Sequence, residues 1–116
     1  MSTQVKNRVE SLRELDAMFR RAVNYFKYNA HNTDIHEDRK YLIFKQLRKE
    51  GHYVVTEAIF KNGKRADIID LDDKKIIEIC ASEELESCKL KMKEYPAFFD
   101  KVVVDANKPY SEKDIQ

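Results

Sequence analysis

Little punctuates this chain. Two glycines and two prolines are spread over 116 residues, and no repeat or low-complexity tract appears. One domain with a real but modest core is expected. No apolar run approaches membrane-spanning length, and the N-terminus lacks a signal-peptide pattern, so no membrane partner and a cytoplasmic location are expected. The two cysteines, Cys80 and Cys88, have neither the partners nor the spacing of a metal finger, which argues against structural zinc. A strand-to-helix disulfide between them is conceivable. In a reducing cytosol, the expectation is instead two small buried apolar residues. Charged residues make up 37% of the chain, yet they nearly cancel to a net charge of +1. No global field then draws the protein to nucleic acid, and any DNA site must be a local patch.

What the chain does have is concentrated between residues 64 and 82. Two short apolar runs flank an acidic turn, and each run is interrupted by one carboxylate. Asp67 lies within Arg65-Ala66-Asp67-Ile68-Ile69, and Glu78 within Ile76-Ile77-Glu78-Ile79. Acids in such runs are costly unless something compensates them. A hairpin centred on Asp72 and Asp73 pairs Asp70 with Lys75 and, further out, Asp67 with Glu78. Directly opposed residues have Cβ atoms about 5 Å apart on one face. Two carboxylates so placed raise each other's pKa, and a bound Mg²⁺ or Mn²⁺ reverses that interaction. The alternative is a solvated sheet face bearing two acids.

These residues resemble the PD-(D/E)xK nuclease superfamily, which includes restriction endonucleases and archaeal Holliday junction resolvases. The similarity runs from about residue 34 to 106. The family pattern is a helix, a three-strand meander, a second helix and a fourth strand. It carries Asp at the start of the second strand and Glu-x-Lys in the third. Arg65-Ala66-Asp67-Ile68-Ile69 looks like the first half of the signature, and Ile77-Glu78-Ile79-Cys80-Ala81-Ser82 like the second. The resemblance implies an α/β, restriction-endonuclease-like αβββαβ core with a mixed four-stranded sheet. It also implies a Mg²⁺- or Mn²⁺-dependent nuclease acting on DNA. The sequence departs from the pattern at Cys80, where the family has a lysine that orients or activates the attacking water.

Around this signature the elements can be read from periodicity. Val5, Val9, Leu12, Phe19, Val23 and Phe26 repeat at heptad-like spacing, with Asp16 in the one polar slot, and predict a single helix over residues 4–29. That helix either packs on its own domain or forms a homodimer, and the chain divides into this N-terminal helix (1–32) and a nuclease-like domain (33–116). A second helix is expected from Asp34 to Glu50, stopped by Gly51. Glu37 in its first turn favours the helix dipole, or completes the metal site as an acid on this helix often does in the resembled family. His31 and His36 nearby are expected to be polar loop and cap residues. His52 to Phe60 reads as a strand, and Asn62-Gly63 as its turn. A two-residue turn pairs Ala58 with Asp67. A three-residue loop pairs Glu57 with Asp67 and makes Glu57 a third ligand candidate. A third helix is expected from Ser82 to Phe99. A buried, valine-rich strand from Lys101 to Asp105 then pairs in parallel with the third strand.

Metals held by paired carboxylates can activate water, stabilise charge on phosphorus and help the leaving oxygen. In the nuclease reading Asp67 bridges the metals and Glu78 anchors one. Cys80 shares a strand face with Glu78, and a thiol supplies no fixed positive charge. Either activity has been lost, or a lysine from the next helix reaches in. Lys91 is favoured over Lys89 because it lies along a polar strip between Ser87 and Tyr95. Lys61, Lys64 and Arg65, with Lys89, are the candidate phosphate contacts. A reading of a different class remains: a non-catalytic DNA-binding or helix-mediated interaction protein that keeps the nuclease fold.

Overall fold

A computed structural model describes residues 2–81 and 84–116. It is an α/β arrangement with three α-helices and four strands in the order α1 (Thr3–Arg13), α2 (Asp34–Lys49), β1 (Val54–Ile59), β2 (Arg65–Asp70), β3 (Lys75–Cys80), α3 (Leu85–Lys91) and β4 (Asp100–Asp105). The strands form one mixed sheet in the order β1-β2-β3-β4, antiparallel up to β3 and parallel between β3 and β4. The parallel step follows from the helical crossover between those two strands.

Alternation along the strands sends apolar side chains to both faces. On one face Ile43 and Leu47 of α2 cover Val54, Ile68, Ile77, Ile79 and Val104. On the other, Leu15, Phe19, Met92, Tyr95 and Phe99 cover Val55, Ile69, Leu71 and Ile76. Thr33 caps α2 by accepting the His36 N–H at 3.2 Å. Gly51 follows its end with φ +83°, the left-handed conformation a helix C-terminus favours.

The helix expected over residues 4–29 is not formed. α1 ends at Arg13, and a short 3-10 helix covers Ala17–Arg21. The residue filling the polar slot of the heptad pattern explains the break. Asp16 caps the 3-10 helix by accepting the Met18 N–H at 3.2 Å, a role aspartate prefers over a helix interior. Its own N–H donates to the Ile59 carbonyl at 2.9 Å, and Leu15 bridges to Phe60. The proposed dimer seam is thereby divided. Leu15 and Phe19 enter the core, Phe26 packs edge-on against Tyr41 and Phe44, and Val5 and Val9 stay exposed.

After the 3-10 helix the chain runs along the outer edge of β1. Asn24, at φ +69°, donates its N–H to Val54 O (2.7 Å) and accepts the Val54 N–H on its side chain (2.9 Å). The Lys27 N–H bonds Thr56 Oγ1 at 2.8 Å. This cover removes one open edge of the sheet. The third helix is also shorter than expected, reaching only Lys91 before a 3-10 turn over Met92–Glu94. Pro96 lies just beyond. The expected start at Ser82 lies outside the described residues. In β4 only Val104 is buried, because this strand is the other edge of the sheet. Among the described residues no helix is long and apolar enough to cross a membrane.

Candidate metal centre at the parting of two strands

The β2–β3 ladder runs from Asp70↔Lys75 to Ile68↔Ile77, the register expected from the acidic turn. One step further out, side chains replace the ladder. The Asp67 N–H donates to Glu78 Oε1 at 2.9 Å, and the Ile79 N–H donates to Asp67 Oδ2 at 2.8 Å. Each carboxylate thus takes a place that a backbone carbonyl fills elsewhere, and the strands part around the pair.

The parted ends open into a polar cavity of about 240 Å³, lined by His31, Asn32, Thr33, His36, Asp67, Glu78, Ile79, Ala81 and Lys91. His36 bridges two acids, with Nε2 3.2 Å from Asp67 Oδ2 and Nδ1 3.1 Å from Glu37 Oε2. A neutral imidazole has one N–H, so two carboxylate contacts favour the doubly protonated ring. Burial alone lowers the His36 pKa, but hydrogen bonding and charge from Asp67, then Glu37, raise it above its ordinary value. Glu78 is pushed towards its neutral form. Burial first, then the facing Asp67 carboxylate, lift it to about 8. The Tyr95 hydroxyl, against the same site, lies 2.7 Å from Arg65 O and 2.9 Å from Glu78 Oε1, in reach to donate its one proton to either. Its own pKa is raised by burial and by Glu78.

A buried ion cluster fixes the wall beside this cavity. Lys40 is fully buried, with Nζ 2.9 Å from Lys27 O, 2.8 Å from Glu37 Oε1 and 3.8 Å from Glu57 Oε2. Glu37 also accepts the Asn29 N–H at 2.6 Å and the Asn32 side chain at 3.2 Å. Burial pushes its carboxyl up, but Lys40, Asn29, Asn32 and His36 together hold it below its ordinary value. These bonds tie the segment before α2 down and place His31 to Thr33 over the site.

Glu57 follows the three-residue loop. Thr56↔Ile68 and Ala58↔Ala66 set it in register with Asp67, while Gly63 takes φ +86° in the hairpin. Glu57 itself adopts φ +51°, a strained conformation for a non-glycine residue. Its carboxylate turns to Asn29 Nδ2 (2.6 Å) and Lys40 rather than into the cavity. Of the proposed ligands, the structure brings Asp67 and Glu78 together at the cavity, and it engages Glu37 and Glu57 in the Lys40 cluster alongside. Lys91 lines the cavity. Lys89 does not; it is exposed and 3.4 Å from Glu86. Lys61, Lys64 and Arg65 are exposed at the β1–β2 hairpin, with Lys64 3.4 Å from Glu94.

Two expectations are overturned here. Cys80 and Cys88 form a disulfide rather than two separate thiols, tying the end of β3 to α3. Position 80 is therefore a crosslink that holds the helix carrying Lys91 against the sheet. His36, expected as a cap residue, is instead the side chain from α2 that reaches Asp67. Its one legible signal was its position beside Glu37, the first-turn acid already named as a ligand candidate. A further His-Asp-Asp group stands at the other end of β2, where His52 Nδ1 is 2.8 Å from Asp70 Oδ2 and 4.0 Å from Asp73 Oδ2. Asp70 Oδ1 there accepts the N–H groups of Asp72 (3.1 Å) and Asp73 (3.3 Å), which shapes the turn.

Comparison with protein-family models, with curated proteins and with solved structures finds no match to this chain.

Proposed function

We propose that the Asp67–Glu78 cavity is a Mg²⁺ or Mn²⁺ site for hydrolysis of DNA phosphodiester bonds, carried on a restriction-endonuclease-like core. One observation carries the reading: two carboxylates from adjacent strands converge on a polar cavity, at a cost that raises Glu78 to about 8. A divalent cation turns that repulsion into attraction. Asp67 and Glu78, held by the hydrogen bonds between their strands, would be the residues to hold the metal. When bound, the metal supplies an activated water and neutralises charge on phosphorus. The chain's own part is orientation. The N–H groups of Asp67 and Ile79 and the Tyr95 hydroxyl fix the two carboxylates, and His36 holds a proton beside Asp67. Lys91 brings an ammonium to the cavity wall where Cys80 cannot, and Lys61, Lys64 and Arg65 offer exposed phosphate contacts one hairpin away.

A second reading rests on the disulfide. With position 80 crosslinked, the chain lacks the family's lysine there, and a protein that binds DNA and metal without cutting fits that loss. Incubating single-stranded, duplex and branched DNA with the protein and Mn²⁺ separates the two. Cleavage that disappears in Asp67→Ala, together with Mn²⁺ binding by calorimetry, supports the hydrolase. Mn²⁺ binding without cleavage supports the binding protein. Cleavage that persists undiminished in Asp67→Ala, or absence of Mn²⁺ binding in the wild type, removes the site from consideration.

A further inference from the structure

The two edges of the sheet are treated differently. The segment around Asn24 to Lys27 covers β1, whereas among the described residues no strand lies beyond β4. The Asp100 N–H donates to Lys74 O and the Ala106 N–H to Cys80 O, both at 2.8 Å. In a parallel ladder alternate residues address the same neighbour. The even-numbered residues of β4 therefore face β3, and Lys101, Val103 and Asp105 turn their N–H and C=O groups outward. The outward Asp105 carbonyl is met by Lys108 N–H (3.2 Å) and Arg39 (3.3 Å); among the described residues no hydrogen bond reaches those of Lys101 and Val103. Val102 and Val103 are only half-buried, and a groove of about 450 Å³ beside this edge is lined by Val103, Val104 and Asp105 with Leu85, Lys89 and Pro109.

We propose that a second copy of this chain pairs with β4, antiparallel about Val103, making one continuous sheet across a two-fold axis. The sequence Lys101-Val102-Val103-Val104-Asp105 is self-complementary in that register alone. Val103 meets the partner's Val103, Val102 the partner's Val104, and Lys101 the partner's Asp105, twice over by symmetry. A slip of one residue sets outward-facing groups against inward-facing ones. A slip of two separates the charges, setting Lys101 against valine in one direction and Asp105 against valine in the other. An exposed valine edge without such a partner is an aggregation hazard that edge strands are usually built to avoid.

The pairing does not depend on the metal reading, but one consequence does. Glu78 lies opposite Val103 in the β3–β4 ladder. With Val103 on the two-fold axis, the two Glu78 residues stand three strand spacings apart, about 14 Å, on the same face of the joined sheet. That arrangement suits a double-stranded substrate, one site to each strand.

Light scattering and sedimentation of the full chain test the pairing. The wild type is a dimer. Lys101→Glu and Asp105→Lys each bring like charges together and raise the dissociation constant at least about tenfold, while an equimolar mixture of the two recovers a dimer, now heterologous. Asp105 also accepts the Asn107 N–H at 2.9 Å, so the folding of Asp105→Lys is checked by circular dichroism. Should it fail, the half-buried Lys101→Glu alone decides. A monomeric wild type at high concentration overturns the proposal, as does a Lys101→Glu dimer of undiminished affinity. A plasmid assay then addresses the consequence separately: the wild type linearises, Lys101→Glu nicks. A dimer without Mn²⁺-dependent cleavage leaves the pairing standing and removes only the metal reading.

Discussion

Replacing Glu78 by glutamine separates a metal site from a structural acid, because the two readings demand opposite effects on stability. In a chelator-treated sample the folded Glu78 titrates at about 8 against an ordinary 4.5. Each pKa unit corresponds to about 1.4 kcal/mol between the two protonation states. At pH 7 the folded chain keeps a proton that the unfolded chain has released, which costs about 3 kcal/mol. Glutamine avoids that cost, and its carbonyl oxygen still accepts from the Asp67 N–H and the Tyr95 hydroxyl. Glu78→Gln should therefore be more stable than the wild type in urea at pH 7, by up to about 3 kcal/mol. The pH dependence has a definite sign. An acid whose folded pKa is raised leaves the folded state holding more protons between 4.5 and about 8, so stability falls as pH rises across that window. His36 and His52, both raised, act in the same direction, since their contribution is full below the ordinary histidine pKa and is lost as pH rises through the folded value. The difference between wild type and Glu78→Gln isolates the Glu78 part. Saturating Mn²⁺ should then reverse the order of stabilities, because only the wild type binds it, and a ligand at a thousand times its Kd contributes about 4.1 kcal/mol, more than the glutamine gains. A Glu78→Gln protein that is less stable than the wild type without metal, and whose pH profile matches it, would refute the reasoning.

Removing the Arg8 side chain should cost about 3 kcal/mol in chemical denaturation, because the fully buried Asp72 carboxylate loses a bidentate partner at 2.7 and 2.8 Å. Burial pushes Asp72 up, but Arg8 and the Tyr53 N–H hold it below its ordinary value, so its contribution is present above that value and lost as pH falls through the folded one. Arg8→Ala should accordingly show a shallower loss of stability in acid than the wild type; equal acid limbs would exclude this pair as their origin. Replacing Cys80 and Cys88 together by serine opens a loop of eight residues and should lower stability by about 2 to 3 kcal/mol, read as a drop in Tm that reducing agent reproduces in the wild type. An unchanged Tm would show that α3 is held by its apolar contacts alone.

How far the sequence disclosed this arrangement depended on how local the deciding interaction was. The β2–β3 register was legible because a short acidic turn leaves few ways to align two isoleucine runs. The loop at Asn62-Gly63 left two registers open, since one residue more or less is compatible with the same turn chemistry. The N-terminal segment misled for a physical reason. Leu12, Phe19 and Phe26 satisfy helical periodicity, but they reach different partners: Leu12 and Phe19 the core on one sheet face, Phe26 the aromatic side chains of α2. Asp16 reads as a tolerated interruption in a heptad and acts as a cap. The disulfide depended on the distance between the end of a strand and the middle of a helix, which composition does not encode. His36 was hidden for a similar reason, because its partner Asp67 is 31 residues away.

The charges around the cavity explain why such a site can persist in the folded chain without a metal. Asp67 and Glu78 face one another, and Glu37 and Glu57 stand just behind. Four carboxylates in so small a volume require counter-charge. Lys40 supplies it to Glu37 and Glu57 from a fully buried position, and His36 spans the gap between Glu37 and Asp67. Glu78 has a tyrosine hydroxyl and a backbone N–H but no cation within those bonds, and its pKa is raised to about 8. Lys40 and His36 thus serve the α2 side, while on the α3 side the cavity opens and Lys91 stands on its wall. A cation entering from there meets the one carboxyl group that has most to gain from it. That asymmetry favours an added metal at Glu78 and Asp67 over one at Glu37 and Glu57, although all four acids occupy neighbouring positions at the same end of the sheet.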